Sequence, residues 1–142
     1  MSELELLKFI WPKILVATAC GLIVGYERQL KHKTAGIRTH ILICVGSCLF
    51  TVISVVMGIE NHIDPTRIVG QIVTGVGFLC SGIIFKGEDK MNGVTSAAYI
   101  WLVASLGVLT GIGYINVALI LTVGLITFML LLEKMENKLK IK

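Results

Sequence analysis

The stretch ILICVGSCLFTVISVVMGI, residues 41–59, carries no charge and no proline. A transmembrane helix needs roughly 20 mainly apolar residues, and this run meets that need by itself. Working outward, four similar runs flank it: Phe9–Tyr26, Ile68–Phe85, Val94–Gly111 and Ile115–Leu132. Pro12 falls in the opening turn of the first, where a missing N–H is tolerated. Five such spans take up most of 142 residues. The expected fold is therefore all-α, an integral membrane bundle of five transmembrane helices forming a single domain over 1–142, with no soluble C-terminal domain.

Composition agrees. Hydrophobic residues make up 55% and charged residues 15% of the chain, with a mean hydropathy of +0.85. A small soluble globule needs more polar surface than that, and disordered or disulfide-stapled chains are excluded by the same numbers. The net charge of +4 sits between the apolar runs, where Lys and Arg meet lipid headgroups rather than nucleic acid. Cys20, Cys44, Cys48 and Cys80 all lie inside apolar runs, so they read as small hydrophobes and not as a disulfide framework. Glu3 and Glu5 replace the basic start of a cleavable signal peptide.

Basic residues set the expected orientation. Arg28, Lys31, Lys33, Arg38, Lys86, Lys90, Lys134, Lys138, Lys140 and Lys142 fall on one side of the five spans, against Lys8, Lys13 and Arg67 on the other. This bias places the N-terminus outside and the C-terminus in the cytoplasm. The short Gly-rich link Thr110–Tyr114 makes the last two spans antiparallel neighbours.

Small residues recur at helical spacing. The packing candidates are Ala17, Gly21 and Gly25 in the first span and Gly70, Thr74, Gly77 and Ser81 in the third. Comparable rows are Cys44, Ser47, Thr51 and Ser54 in the second span and Ala97, Ala104, Gly107 and Gly111 in the fourth. Close backbone approach is how helices associate in lipid. These rows predict a bundle of four helices with the fifth more exposed to lipid. A Gly-x-x-x-Gly pair also suits a homo-oligomer; packing within the chain is the preferred reading.

None of the nine acidic residues falls in the interior of an expected span, whereas intramembrane carboxylates are the usual devices of proton relays and cation-coupled transporters. The polar groups gather at span ends. Glu27 and Arg28 close the first span, and Arg38, Thr39 and His40 open the second. They read either as positive-inside anchors or as a partly buried network in which Glu27 pairs with Arg28 or Arg38. On the other side, Asp64 suits a helix N-cap and Pro65 the first helical position. Arg67 and Gln71 lie one turn apart behind them, so Asp64, Arg67 and Gln71 form both a cap and a candidate polar cluster. The ligand supply around His40 and the cysteines is too small for a metal site. No nucleophile–base pair is visible, so neither an enzyme nor a cofactor is expected.

The ordered motifs GYERQ (25–29), AGIRTH (35–40), DPTRI (64–68) with Gln71, GVGFL (75–79), GVTSAA (93–98) and Trp101 resemble the membrane domain of the MgtC/SapB family. The chain departs from the family pattern at Thr34, Cys80-Ser81 and Val94-Thr95-Ser96. The resemblance implies a bacterial inner (plasma) membrane protein linked to magnesium homeostasis and virulence. It further implies a regulator that acts on another integral membrane protein, such as the rotary ATP synthase. The alternative expectation is a magnesium or proton permease acting as an oligomer.

Overall fold

The computed structural model describes residues 2–61, 64–86 and 91–139. Among them run α1 (Glu3–Leu30), α2 (Ile37–Asn61), α3 (Thr66–Ser81), a ribbon of β1 (Phe85–Lys86) and β2 (Met91–Asn92), α4 (Val94–Ile112) and α5 (Ile115–Leu139). The ribbon is antiparallel, with Phe85 opposite Asn92 and Lys86 opposite Met91. Lys90, Lys140 and Lys142 of the basic-residue count lie outside the described residues.

Helices outrun the apolar spans because helix formation needs caps and backbone bonds, not only lipid-soluble side chains. α1 begins at a capping box: Glu5 N–H donates to Ser2 Oγ and Ser2 N–H to Glu5 Oε2, at 3.3 and 2.8 Å. Pro12 consequently sits inside the helix rather than in its opening turn. α5 likewise continues past Leu132 to Leu139.

The third span is the exception, and it is shorter than expected. α3 stops at Ser81, where Gly82 N–H turns to Leu79 O and Ile83 N–H to Cys80 O. Phe85, expected within this span, lies in β1. Four helices are long and apolar enough to cross a membrane, and the 16-residue α3 is not among them. The fold is all-α apart from the two-residue strands.

The core is α1, α2 and α4. An ideal Cβ on Gly21 would lie 2.7 Å from His40 O, and one on Gly25 2.6 Å from Ile37 Cα. Further along the same stripe of α2, Gly107 approaches Cys44 O to 2.3 Å in the same sense, and Gly111 approaches Cys48 O to 2.7 Å. Ascending numbers on α1 thus meet descending numbers on α2, whereas on α4 they meet ascending ones. α1 and α2 are antiparallel; α2 and α4 are parallel. Ala17 is fully buried in this core, as are Cys20, Cys44 and Cys48, and all four cysteines are free.

α3 and α5 are peripheral. α3 buries Ile72, Val76 and Cys80 against Ala97, Ile100 and Ala104 of α4. Cys80 points its Sγ at Ala97 O, 3.2 Å away. The expected seam of Gly70, Thr74, Gly77 and Ser81 is therefore on the opposite side. These four residues are exposed, and an added Cβ on Gly70 or Gly77 would meet no atom within 4 Å. Branched and thiol side chains offer more dispersion contact than bare backbone, so the bulkier row turns inward. α5 buries only Ala118 and Thr122.

Candidate functional site

The α1–α2 loop end of the bundle carries an unusual charge density for a membrane protein. Glu27 and Arg28, in the last turn of α1, are 7% and 4% exposed. Glu27, expected just past the span either as an anchor or in a partly buried network, is buried in the last turn of α1, which continues to Leu30. Lys31 Nζ lies 2.5 Å from Glu27 Oε1 and also contacts Glu133 of α5. Arg28 Nη1 is 3.5 Å from Glu27 Oε2, and the guanidinium stacks 4.1 Å from the centre of the Tyr99 ring on α4. Glu27 thus pairs with Arg28 and Lys31. Arg38 does not join: it is exposed on α2, with Thr39 half-buried beside it.

Desolvation pulls the Lys31 ammonium down, but its contacts with Glu133 and Glu27 outweigh this and hold it above an ordinary lysine. His40 is fully buried nearby. Its Nδ1 lies 2.8 Å from Gly36 O; a carbonyl only accepts, so Nδ1 carries a proton. The Glu27 oxygens are engaged by Lys31 and Arg28, whereas His40 Nε2 and Arg28 Nε are buried with no hydrogen-bond partner among the described residues. Arg28 Nε and His40 Nε2 are thus the two unmet polar atoms in a cluster of two cations, two carboxylates and an imidazole. Among the described residues no three His, Cys, Asp or Glu side chains gather closely enough to hold a metal.

The other end holds a simpler arrangement. α3 starts at Thr66, one residue later than expected, and Pro65 takes the cap position. Asp64 still serves this helix end: its Oδ1 accepts from Thr66 N–H at 2.9 Å and from the Thr66 hydroxyl at 2.8 Å. Those bonds hold its carboxyl below the usual carboxylate range. Arg67 and Gln71 are exposed, and Asp64 and Arg67 line one small cavity. The two candidate clusters lie at opposite ends of the bundle.

Sequence reasoning missed Lys13. It was counted as an outer basic residue, yet it is 5% exposed. Its Nζ donates to Gly111 O at 2.7 Å, at the negative C-terminal end of α4, and lies 3.8 Å from the centre of the Phe9 ring. A lysine inside an apolar run was the available signal. Tyr99 and Glu133 were missed as well, since nothing local links them to Glu27.

Long apolar helices around a glycine-gripped core, with buried compensated charge at one end, define a multi-pass integral membrane protein. The chain matches the MgtC family over residues 14–138 and belongs to it. It is 38% identical over 138 residues to "Protein MgtC" of Brucella abortus (strain 2308), covering 92% of this chain and 57% of that one. It is 45% identical over 112 residues to "Putative magnesium transporter YhiD" of Escherichia coli (strain K12), covering 75% and 52%. Identity to "Protein SapB" of Bacillus subtilis (strain 168) is 39% over 117 residues, covering 75% and 50%. The chain thus spans about half the length of the curated relatives it matches. No solved structure matches it.

Proposed function

We propose that this chain is a bacterial inner-membrane regulator that binds another integral membrane protein, in a role linked to magnesium homeostasis or virulence. One observation carries the reading. The small-residue row Gly70, Thr74, Gly77 and Ser81 faces away from the chain's own core, and such a row lets a second helix approach closely in lipid. Its hydroxyls are already satisfied: Thr74 donates to Gly70 O at 3.3 Å and Ser81 to Phe78 O at 2.7 Å. The face therefore enters lipid at no unpaired polar cost and is free to pack.

In this reading the N-terminus is outside, the C-terminus is cytoplasmic, and the Glu27–Arg28–Lys31–Glu133 network lies at the cytoplasmic surface. A partner membrane protein docks on α3, and the rotary ATP synthase is the first candidate to test. Pull-down in mild detergent should recover a membrane partner with the native chain and lose it with Gly70→Leu/Gly77→Leu. Repeated failure to recover any membrane partner counts against the reading.

The second reading, a magnesium or proton permease acting as an oligomer, is favoured by one fact: Glu27 is a buried carboxylate. Purified protein in liposomes separates the two. Magnesium or proton flux that disappears in Glu27→Gln and Asp64→Asn would establish the permease.

A further inference from the structure

α2 and α3 part company along their middle. Ser54 Oγ donates to Pro65 O and pins the two helices at the α2–α3 link. Further along, a cleft of about 430 Å³ opens between Gly46 and Phe50 on α2 and Ile68, Gln71, Gly75 and Leu79 on α3. Its glycines do not serve close approach. An added Cβ on Gly46 or Gly75 would find no atom within 4 Å, so here the missing side chains make room. At the pinned end Ile68 also lines a second cavity of about 210 Å³, whose charged walls are Asp64 and Arg67.

The lining of the cleft selects its occupant. Ile68 and Leu79, both on its wall, are roughly 16 Å apart along the helix axis, so the cleft is elongated. A dry void forfeits dispersion contacts along its walls, and water needs several polar partners where the lining is almost wholly apolar. An extended hydrocarbon chain fits, and the bilayer supplies it at the cleft's open side.

The polar groups sit where that chain would end. Gln71, one turn inward from Arg67, makes no hydrogen bond with any described residue, and an amide in this position needs a partner. Arg67 and Asp64 beyond it offer a cation and an anion within one cavity. Asp64 uses only Oδ1 on Thr66, leaving Oδ2 to face a positive group.

We propose that the α2–α3 cleft binds one phospholipid bearing an ammonium head group, with an acyl chain along Gly46 and Gly75, a glycerol ester at Gln71, the phosphate at Arg67 and the ammonium at Asp64. The site lies on a different face of α3 from the exposed small-residue row, so it stands or falls independently of the regulatory reading.

Native mass spectrometry of delipidated full-length protein, titrated with phosphatidylethanolamine or phosphatidylglycerol, tests it. The native chain should retain one phosphatidylethanolamine in preference to phosphatidylglycerol. Arg67→Gln should weaken retention of both by about tenfold, the loss of one charge-assisted contact, whereas Asp64→Asn should abolish the preference. Gly46→Leu/Gly75→Leu should lose both lipids while keeping its Tm, because the new side chains enter open space. Equal retention of the two lipids by the native chain overturns the proposal, as does unchanged binding in the leucine variant. Capture of a partner helix by a Gly75→Cys cross-link also overturns it. Should the leucine variant misfold, the two charge variants still decide.

Discussion

Glu27 governs the energetics of its end of the bundle because its neighbours are cations. With Glu27 ionised, Arg28 and Lys31 are both compensated. Glu27→Gln leaves Arg28, only 4% exposed, without an anion, and stranding one member of a buried pair costs about 3 kcal/mol. The Tm in detergent should fall accordingly. Glu27→Gln/Arg28→Gln removes the stranded cation as well and should recover part of that loss, though the stacking on Tyr99 goes with it. Additive losses in the double variant would show that the two residues act independently. The sequence left the motif open between surface anchors and a partly buried network, since the choice depends on how the other helices cover the end of α1.

At the scale of the helix, the glycines fall into two kinds that spacing alone does not separate. Gly107→Ala gains about 1 kcal/mol of helix propensity, yet its Cβ would sit 2.3 Å from Cys44 O. Backbone cannot yield like a side-chain tip, and overpacking of this sort costs about 1–3 kcal/mol, so Tm should drop. Gly77→Ala keeps the same propensity gain and meets no atom within 4 Å; its Tm should hold or rise. A drop in both would mean that α3 packs more closely than described. The N-terminus of α3 adds a pH dependence. Its capping bonds hold the Asp64 carboxyl below its ordinary value, so their stabilising effect is present above the unfolded carboxylate pKa and fades as pH falls through the lower folded one. Exchange protection of the first α3 amides should be lost in that acid window for the native chain, but not for Asp64→Asn. Existence and type of α1, α2, α4 and α5 were legible because apolar run length alone decides them. The end of α3 was not: Gly82-Ile83-Ile84-Phe85 is as apolar as a helix, and only the backbone turn at Gly82 and the pairing of β1 with β2 stop it.

Across the whole molecule, the parallel contact between α2 and α4 constrains the path of everything between them. Gly107 and Gly111 meet Cys44 and Cys48 in the same order, so after Asn61 the chain must travel back the height of the bundle before α4 begins. α3 makes that return although its 16 residues rise only about 24 Å, less than the hydrocarbon thickness of about 30 Å. Past the turn after Ser81 the chain continues through the half-buried Ile83 and Ile84. The sequence counts five apolar runs; among the described residues four helices are long and apolar enough to cross, and α3 runs back between α2 and α4. Lys13, counted among the outer basic residues, caps α4 from inside the bundle. Five passes, the number read from the sequence, would put the two ends on opposite sides. A C-terminal fluorescent reporter should light up in the cytoplasm, and a cysteine placed at Ser2 should react with an impermeant thiol reagent in intact spheroplasts. The four native cysteines are buried and contribute little background. Labelling at Ser2 that requires lysis would put both ends inside, reduce the passes to four and make α3 a re-entrant segment.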